Sequence, residues 1–367
     1  MKKILSLAAM FAVLSYASSA SAEVKFGGEA SVRLRDDFAH TKSTAGVTTN
    51  PQDQYFQYRV RLKPSADLGD GYYFKALVQN EAVAGSWQTL AASNTEQYNF
   101  QASQFYFGHN DESSHWVFGR IPLGSLDNPI LDLTLYAIPG AGPQGTTLYP
   151  VDTPISTNHF DRLLGFNYGV KLGDGELNAV LVNFDNLSTS AAATPTAPNA
   201  NRGLLNDGYG LVASYKTKIG DVTVVPQAFA TLTHLSDGRR PYSFGTQAFI
   251  PTGKSKVLLS GFYTANNNTI YDGSLKDYSG YIFRVKGESG SALAWIDYNK
   301  SKDSTNSKDY NNTFLWAQYK FGIHESAAGN FSLTPTLRYR LSSSTTATGA
   351  TTDNNLFRTE LYATVTF

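Results

Sequence analysis

The chain has 367 residues, with 30 Lys+Arg against 30 Asp+Glu, 22 Tyr, 22 Phe and no Cys. Zero net charge withholds the basic face that nucleic acid requires, and a charged fraction of 16% is below the ~25% of an average soluble domain. The missing cysteines exclude disulfide scaffolds, thiolate zinc sites, iron–sulfur clusters and thiol catalysis, and the six His form no tight metal-binding spacing, so no cofactor or metal is expected.

Residues 1–22 read as a secretory signal peptide. Lys2 and Lys3 form the basic start, Ile4 to Leu14 the apolar core, and Ala20-Ser21-Ala22 the small-residue cleavage pattern. The apolar core is too short for a membrane helix, which needs ~20 residues. The mature chain is expected to begin at Glu23 and to form one domain, 23–367. No later stretch is apolar enough for a spanning helix.

From Val24 the chain alternates. Val24, Phe26, Ala30, Val32 and Leu34 fall on one face, and Lys25, Glu29, Ser31, Arg33 and Arg35 on the other. Period two means a strand with one apolar and one polar side. Phe56, Tyr58, Val60 and Leu62 oppose Gln57, Arg59, Arg61 and Lys63 in the next segment. Near the end, Leu333, Leu337, Tyr339 and Leu341 oppose Thr334, Thr336, Arg338 and Arg340, and the last strand sets Phe357, Leu361, Ala363, Val365 and Phe367 on one face. The patterned runs have the length that a tilted strand needs to cross a bilayer, ~9–11 residues. Pro64, Pro226 and Pro335 lie within such runs. Each lacks a ladder donor and is expected near a strand end or bulge.

Seven short turns punctuate the chain, at Leu68–Gly71, Gly108–Glu112, Leu172–Gly175, Ile219–Asp221, Pro251–Gly253, Gly287–Gly290 and His324–Asn330. They alternate with longer polar stretches: Ala39–Asp53, Gly85–Thr95, Leu187–Asn206, Ser236–Pro241, Asn266–Lys276, Lys302–Asp309 and Ser342–Asn354. Seven turns joining eight hairpins predict an all-β fold, an antiparallel transmembrane barrel of about 16 strands. Closure leaves no unpaired edge in lipid, and this strand number leaves room for water inside. One interval is longer than the rest. Residues 121–158 carry Pro122, Gly124, Pro129, Pro139 and Gly140 together with Leu126, Ile130, Leu131, Leu133 and Tyr136. A link this long is functional or disordered, and its apolar content predicts a loop folded into the lumen, the alternative being an external lid.

If the apolar faces meet lipid, the polar faces line water. Closure sets the last strand beside the first, so Arg33, Arg35, Arg59, Arg61, Arg338, Arg340 and Arg358 are expected on one contiguous basic wall, and Arg120 is a further candidate. Any of these could instead sit at the rim and bind lipopolysaccharide phosphates. Trp295 and Trp316 fall on adjacent strands with lumen parity. They would either stack sugars or, since both strands carry apolar residues on both faces, contact another subunit or the inserted loop, unless the register differs. No GxSxG, P-loop or GxGxxG occurs, so catalysis is not expected.

Gln104-Phe105-Tyr106-Phe107-Gly108, followed by Trp116-Val117-Phe118-Gly119-Arg120 and then the long segment, resembles a Gram-negative general porin of the trimeric, sixteen-stranded type. The terminal Phe367 is similar to that family's assembly signal. The resemblance implies an outer-membrane location, a homotrimer among outer-membrane lipid and lipopolysaccharide, and residues 121–158 as a constriction loop. It sets Asp127, Asp132 and Asp152 of that loop opposite the Arg wall. The opposed charges would impose a transverse field on small hydrophilic solutes. The chain departs from the family in lacking a Pro-Glu-Phe-Gly-Gly element there, and in having no Arg from Glu96 to Phe107. The expected function is passive diffusion with a weak anion preference. The alternatives are a channel selective for a sugar or an organic anion, and a secreted soluble β protein.

Overall fold

The computed structural model describes residues 24–80, 87–90, 100–122, 163–185, 208–233, 240–269 and 273–367. The signal peptide, and most of 121–158 with Asp127, Asp132 and Asp152, lie outside them.

Among the described residues sixteen antiparallel strands close on themselves. In chain order they are β1 (Val24–Lys42), β2 (Gln52–Gly69), β3 (Tyr72–Gln79), β4 (Gln101–Asn110), β5 (Ser114–Ile121), β6 (Leu163–Leu172), β7 (Gly175–Asp185) and β8 (Gly208–Ile219). The second half comprises β9 (Val222–Thr231), β10 (Tyr242–Thr252), β11 (Ser255–Thr269), β12 (Leu275–Ser289), β13 (Ala292–Asp303), β14 (Lys308–Tyr319), β15 (Gly329–Thr346) and β16 (Thr351–Thr366). Three accessory strands, Thr48–Thr49, Gln88–Thr89 and Phe321–Ser326, extend individual ladders. Each barrel strand pairs with its sequence neighbours, and β16 closes on β1 from Glu29↔Thr366 to Lys42↔Asp353. Gly28 and Phe367 finish that seam by exchanging backbone hydrogen bonds of 2.8 and 3.1 Å. A Cβ on Gly28 would lie 2.7 Å from both the Arg61 carbonyl oxygen and the Phe367 ring. Only glycine lets the last residue pack down on the first strand.

Tight turns gather at the end that holds Val24 and Phe367, at residues 70–71, 111–113, 173–174, 220–221, 253–254 and 290–291. At the first of these, Asp70 and Gly71 have φ of 49° and 80°. Both are left-handed, as a two-residue hairpin turn demands. The opposite end differs from expectation because strand reaches into the polar stretches. In Lys302–Asp309 and Ser342–Asn354 the links are only residues 304–307 and 347–350. Their polar composition comes from strand ends that continue past the apolar belt.

The three prolines stand inside strands, each where one ladder breaks. The β2–β3 pairing skips from Leu62↔Val78 to Ser65↔Lys75 across Pro64. The β8–β9 pairing skips from Ser214↔Gln227 to Thr217↔Val224 across Pro226, and the β14–β15 pairing stops at Thr336, one residue from Pro335.

Burial follows the alternation but inverts the soluble pattern. Phe56, Phe105, Phe118, Phe244, Phe283, Leu337 and Leu361 are exposed outside, while Arg33, Arg35, Arg284, Arg338, Asp297 and Glu360 are buried inside. Outward aromatic residues line up across strands, as in Tyr72↔His109↔Trp116↔Tyr168 and Phe74↔Phe107↔Phe118↔Phe166. Exposed apolar belts with aromatic rows are what a hydrocarbon solvent selects.

Candidate functional site: the inner arginine wall

Four neighbouring strands, β15, β16, β1 and β2, build the site. Their registers place inward residues in lateral rows: Arg338↔Arg358↔Asp37, Thr336↔Glu360↔Arg35↔Tyr55, and Thr334↔Tyr362↔Arg33↔Gln57. Arg33, Arg35, Arg338, Arg340 and Arg358 are buried there, and Arg59 and Arg61 are half-buried beside them. Residues two apart on a strand share a face, so alternation alone delivers two arginines from β1, two from β2 and two from β15.

Glu360 is the hub. Its Oε1 meets Arg33 Nη1 at 3.1 Å and Arg35 Nη2 at 2.7 Å, and its Oε2 meets Arg338 Nε at 2.5 Å. The Glu360 side chain has no exposed surface, and Tyr362 donates a further 2.8 Å bond to its Oε2. A carboxylate in that position is stable because three cations and a hydroxyl replace its hydration. Two smaller nodes flank the hub. Asp37 accepts from Arg358 Nε and, at 2.6 Å, from Nη2. Glu29 takes Arg59 at 2.7 Å, Arg61 at 3.6 Å and Lys63 at 3.7 Å. Arg33 also donates two bonds to Gln57 Oε1, at 2.8 and 2.6 Å, and Arg340 donates to Asn354 Oδ1 at 3.0 Å. Six guanidiniums thus share three carboxylates, Arg340 adds a seventh, and the wall keeps a positive excess.

Aromatic rings hold the guanidiniums from the sides. Arg338 lies 3.6 Å over the Trp316 ring, and Trp316 stacks on Trp295 at 4.4 Å and 15°. Trp316 is thus held between Trp295 and Arg338, on strands next to its own, and these contacts bear on neither expected reading. Further round, Arg284 and Asp297 form a buried two-bond pair, Nε–Oδ1 2.6 Å and Nη2–Oδ2 2.8 Å.

Arg120 is not part of this wall. Its register row is Phe105↔Arg120↔Leu164, and both neighbours are exposed on the outer face. The alternation of β5 explains it, since Arg120 shares parity with the outward Trp116 and Phe118. The sequence reading also overlooked Glu360, Asp37 and Trp87. Glu360 and Arg358 sit opposite the apolar Phe357 and Leu361, a signal the last strand did carry. Asp37 has the parity of Arg33 and Arg35. Trp87 is an aromatic residue in a polar link, with no periodicity to mark it.

Among the described residues no His/Cys/Asp/Glu group could hold a metal ion, and the wall's chemistry is electrostatic. No curated protein sequence matches the chain. Solved structures share its fold. An anion-selective porin from Comamonas acidovorans superposes with a TM-score of 0.55 at 12% identity, covering 93% of this chain and 99% of its own. The outer-membrane channel DcaP of Acinetobacter baumannii gives 0.53 at 14%, covering 96% and 99%. OmpT, an outer-membrane protein of Vibrio cholerae, gives 0.52 at 11%, again covering 96% and 99%. The sequence profile of the Gram-negative porins matches residues 6–366, and with a closed sixteen-strand barrel behind that match, the chain belongs to the Gram-negative porin family.

Proposed function

We propose that this porin is a non-enzymatic diffusion channel of the outer membrane, passing small hydrophilic solutes and ions with a weak preference for anions. The observation that carries this reading is the excess of guanidiniums over carboxylates on the inner wall of β15, β16, β1 and β2. Fixed positive charge in a water-filled barrel raises the local anion concentration and lowers the barrier to anion entry. The solute gradient is the only driving force. The protein would leave the cytoplasm by a signal peptide cleaved before Glu23 and assemble as a homotrimer among lipid and lipopolysaccharide.

In the same reading, residues 121–158 fold into the lumen and set Asp127, Asp132 and Asp152 across from the arginines.

The test is single-channel recording in a planar bilayer under a salt gradient. A reversal potential on the anion side supports the proposal. Cation preference overturns the wall assignment, and no conductance from the folded protein overturns the channel. A channel selective for a sugar or an organic anion is the second reading. Saturable current block by one such solute separates it from general diffusion.

A further inference from the structure

The β3–β4 link sends one indole into the arginine wall. β3 ends at Gln79, opposite Arg61, so the upper half of β2 runs on beyond its partner strand. The accessory strand Gln88–Thr89 takes that place, pairing with Tyr58 and Gln57. Leu90 N donates to the Phe56 carbonyl at 3.0 Å, and Gln57 Nε2 donates to Thr89 Oγ1 at 2.9 Å. Gln57 faces inward, so Thr89 does too, and Trp87, two residues earlier, shares its side.

There the indole lies between two guanidiniums. Its ring centroid is 4.3 Å from Arg33 Cζ and 4.5 Å from Arg59 Cζ. Tyr362 meets it edge-on at 5.4 Å and 70°. Trp87 is 8% exposed and Arg33 1% exposed. The ring faces attract the cations, while the ring itself occupies space that water or an ion would otherwise fill.

We infer that Trp87 is a selectivity-determining residue of the channel, a tethered aromatic that screens Arg33 and Arg59 from passing solutes. The inference rests on the diffusion-channel reading. A guanidinium with an indole on its face still contributes field, but that face is closed to a passing anion, which can reach the group only at its N–H edge. Trp87 therefore sets both how much of the wall an anion can touch and how wide the path beside it is. The device lies on the β3–β4 link and is separate from the 121–158 segment.

The experiment compares single-channel conductance and reversal potential of the full-length protein and its Trp87→Ala variant under one salt gradient. The variant is expected to conduct more and to reverse further to the anion side, while Trp87→Phe, which keeps a ring face for both guanidiniums, stays close to the parent. The chain has no cysteine, so Trp87→Cys gives a second readout. A negatively charged methanethiosulfonate reagent added to the open channel should cut the current in steps and move the reversal potential toward cations. Should Trp87→Ala fail to insert, Trp87→Leu replaces it, removing the ring face while keeping an apolar side chain. Parental conductance and reversal in the Ala or Leu variant, or indifference of Trp87→Cys to the reagent, overturns the role of Trp87 and leaves the channel standing. A parent protein that does not conduct overturns both.

Discussion

Replacing Glu360 with Gln keeps the shape of the hub and removes its charge. Three guanidinium contacts of 3.1, 2.7 and 2.5 Å converge on this carboxylate, which has no exposed surface. At an effective dielectric of ~20, each pair with charge centres ~4 Å apart attracts by about 4 kcal/mol. Mutual repulsion of the three cations and their lost hydration cancel much of that sum. Removing one partner of a buried ion cluster costs about 3–5 kcal/mol, and this is the loss expected for Glu360→Gln. The amide also turns an N–H toward groups that only donate, so it restores at most one oxygen's worth of bonding. The assay is the urea midpoint of the barrel in detergent micelles, followed by Trp fluorescence and by sheet circular dichroism. The same variant should reverse further to the anion side in a bilayer, because the wall gains one net positive charge. A midpoint within about 0.5 kcal/mol of the parent, the range of an indifferent surface change, would refute the hub.

The doubly substituted Arg338→Ala, Arg340→Ala channel should lose anion preference, most clearly at low salt, where the Debye length is ~30 Å at 0.01 M; an unchanged reversal potential would place these side chains outside the conducting path. Gly28→Ala should weaken the closing seam by about 1–3 kcal/mol as an overpacked site, since the new Cβ meets backbone and the Phe367 ring at 2.7 Å, and a shifted urea midpoint reads it. Mass spectrometry of the protein extracted from outer membranes should give a mature chain starting at Glu23; a mass that retains residues 1–22 would overturn the signal-peptide reading.

Much of this molecule was legible because a membrane barrel writes both faces into the chain. Strict alternation around Val32, Arg33, Leu34 and Arg35 fixed which side each residue takes, and strand order then placed β15 and β16 beside β1 and β2. Turn chemistry located the hairpins, since Gly and Asp are the residues that accept the backbone angles at 70–71. What alternation does not encode is which donor meets which acceptor. Glu360 collects three arginines because of a register of β16 against β1, and composition says nothing about register. Arg120 was misplaced for the same reason, as its short strand was read without the parity of Trp116 and Phe118. The polar ends of β13 to β16 passed for loops because outside the apolar belt a strand no longer needs an apolar face. Trp87 left no periodic trace, because its position comes from a link that pairs with half a strand.

The seam between β1 and β16 joins the two ends of the chain, with Glu29 opposite Thr366 and Lys42 opposite Asp353. It closes only once both strands are present. Arg35 and Glu360 are 325 residues apart, so the earliest arginines wait for almost the last strand before they meet their counter-ion. Until then a partly formed sheet carries unneutralised guanidiniums and two raw strand edges, neither of which hydrocarbon accepts. Contacts this distant in sequence also form slowly. A truncated or stalled chain would stay at the water interface, because the cations that suit the finished lumen bar an unfinished sheet from the bilayer. The counter-ion of the first strand's arginines is supplied by the last strand, so closing the barrel and neutralising that part of its wall are one and the same contact.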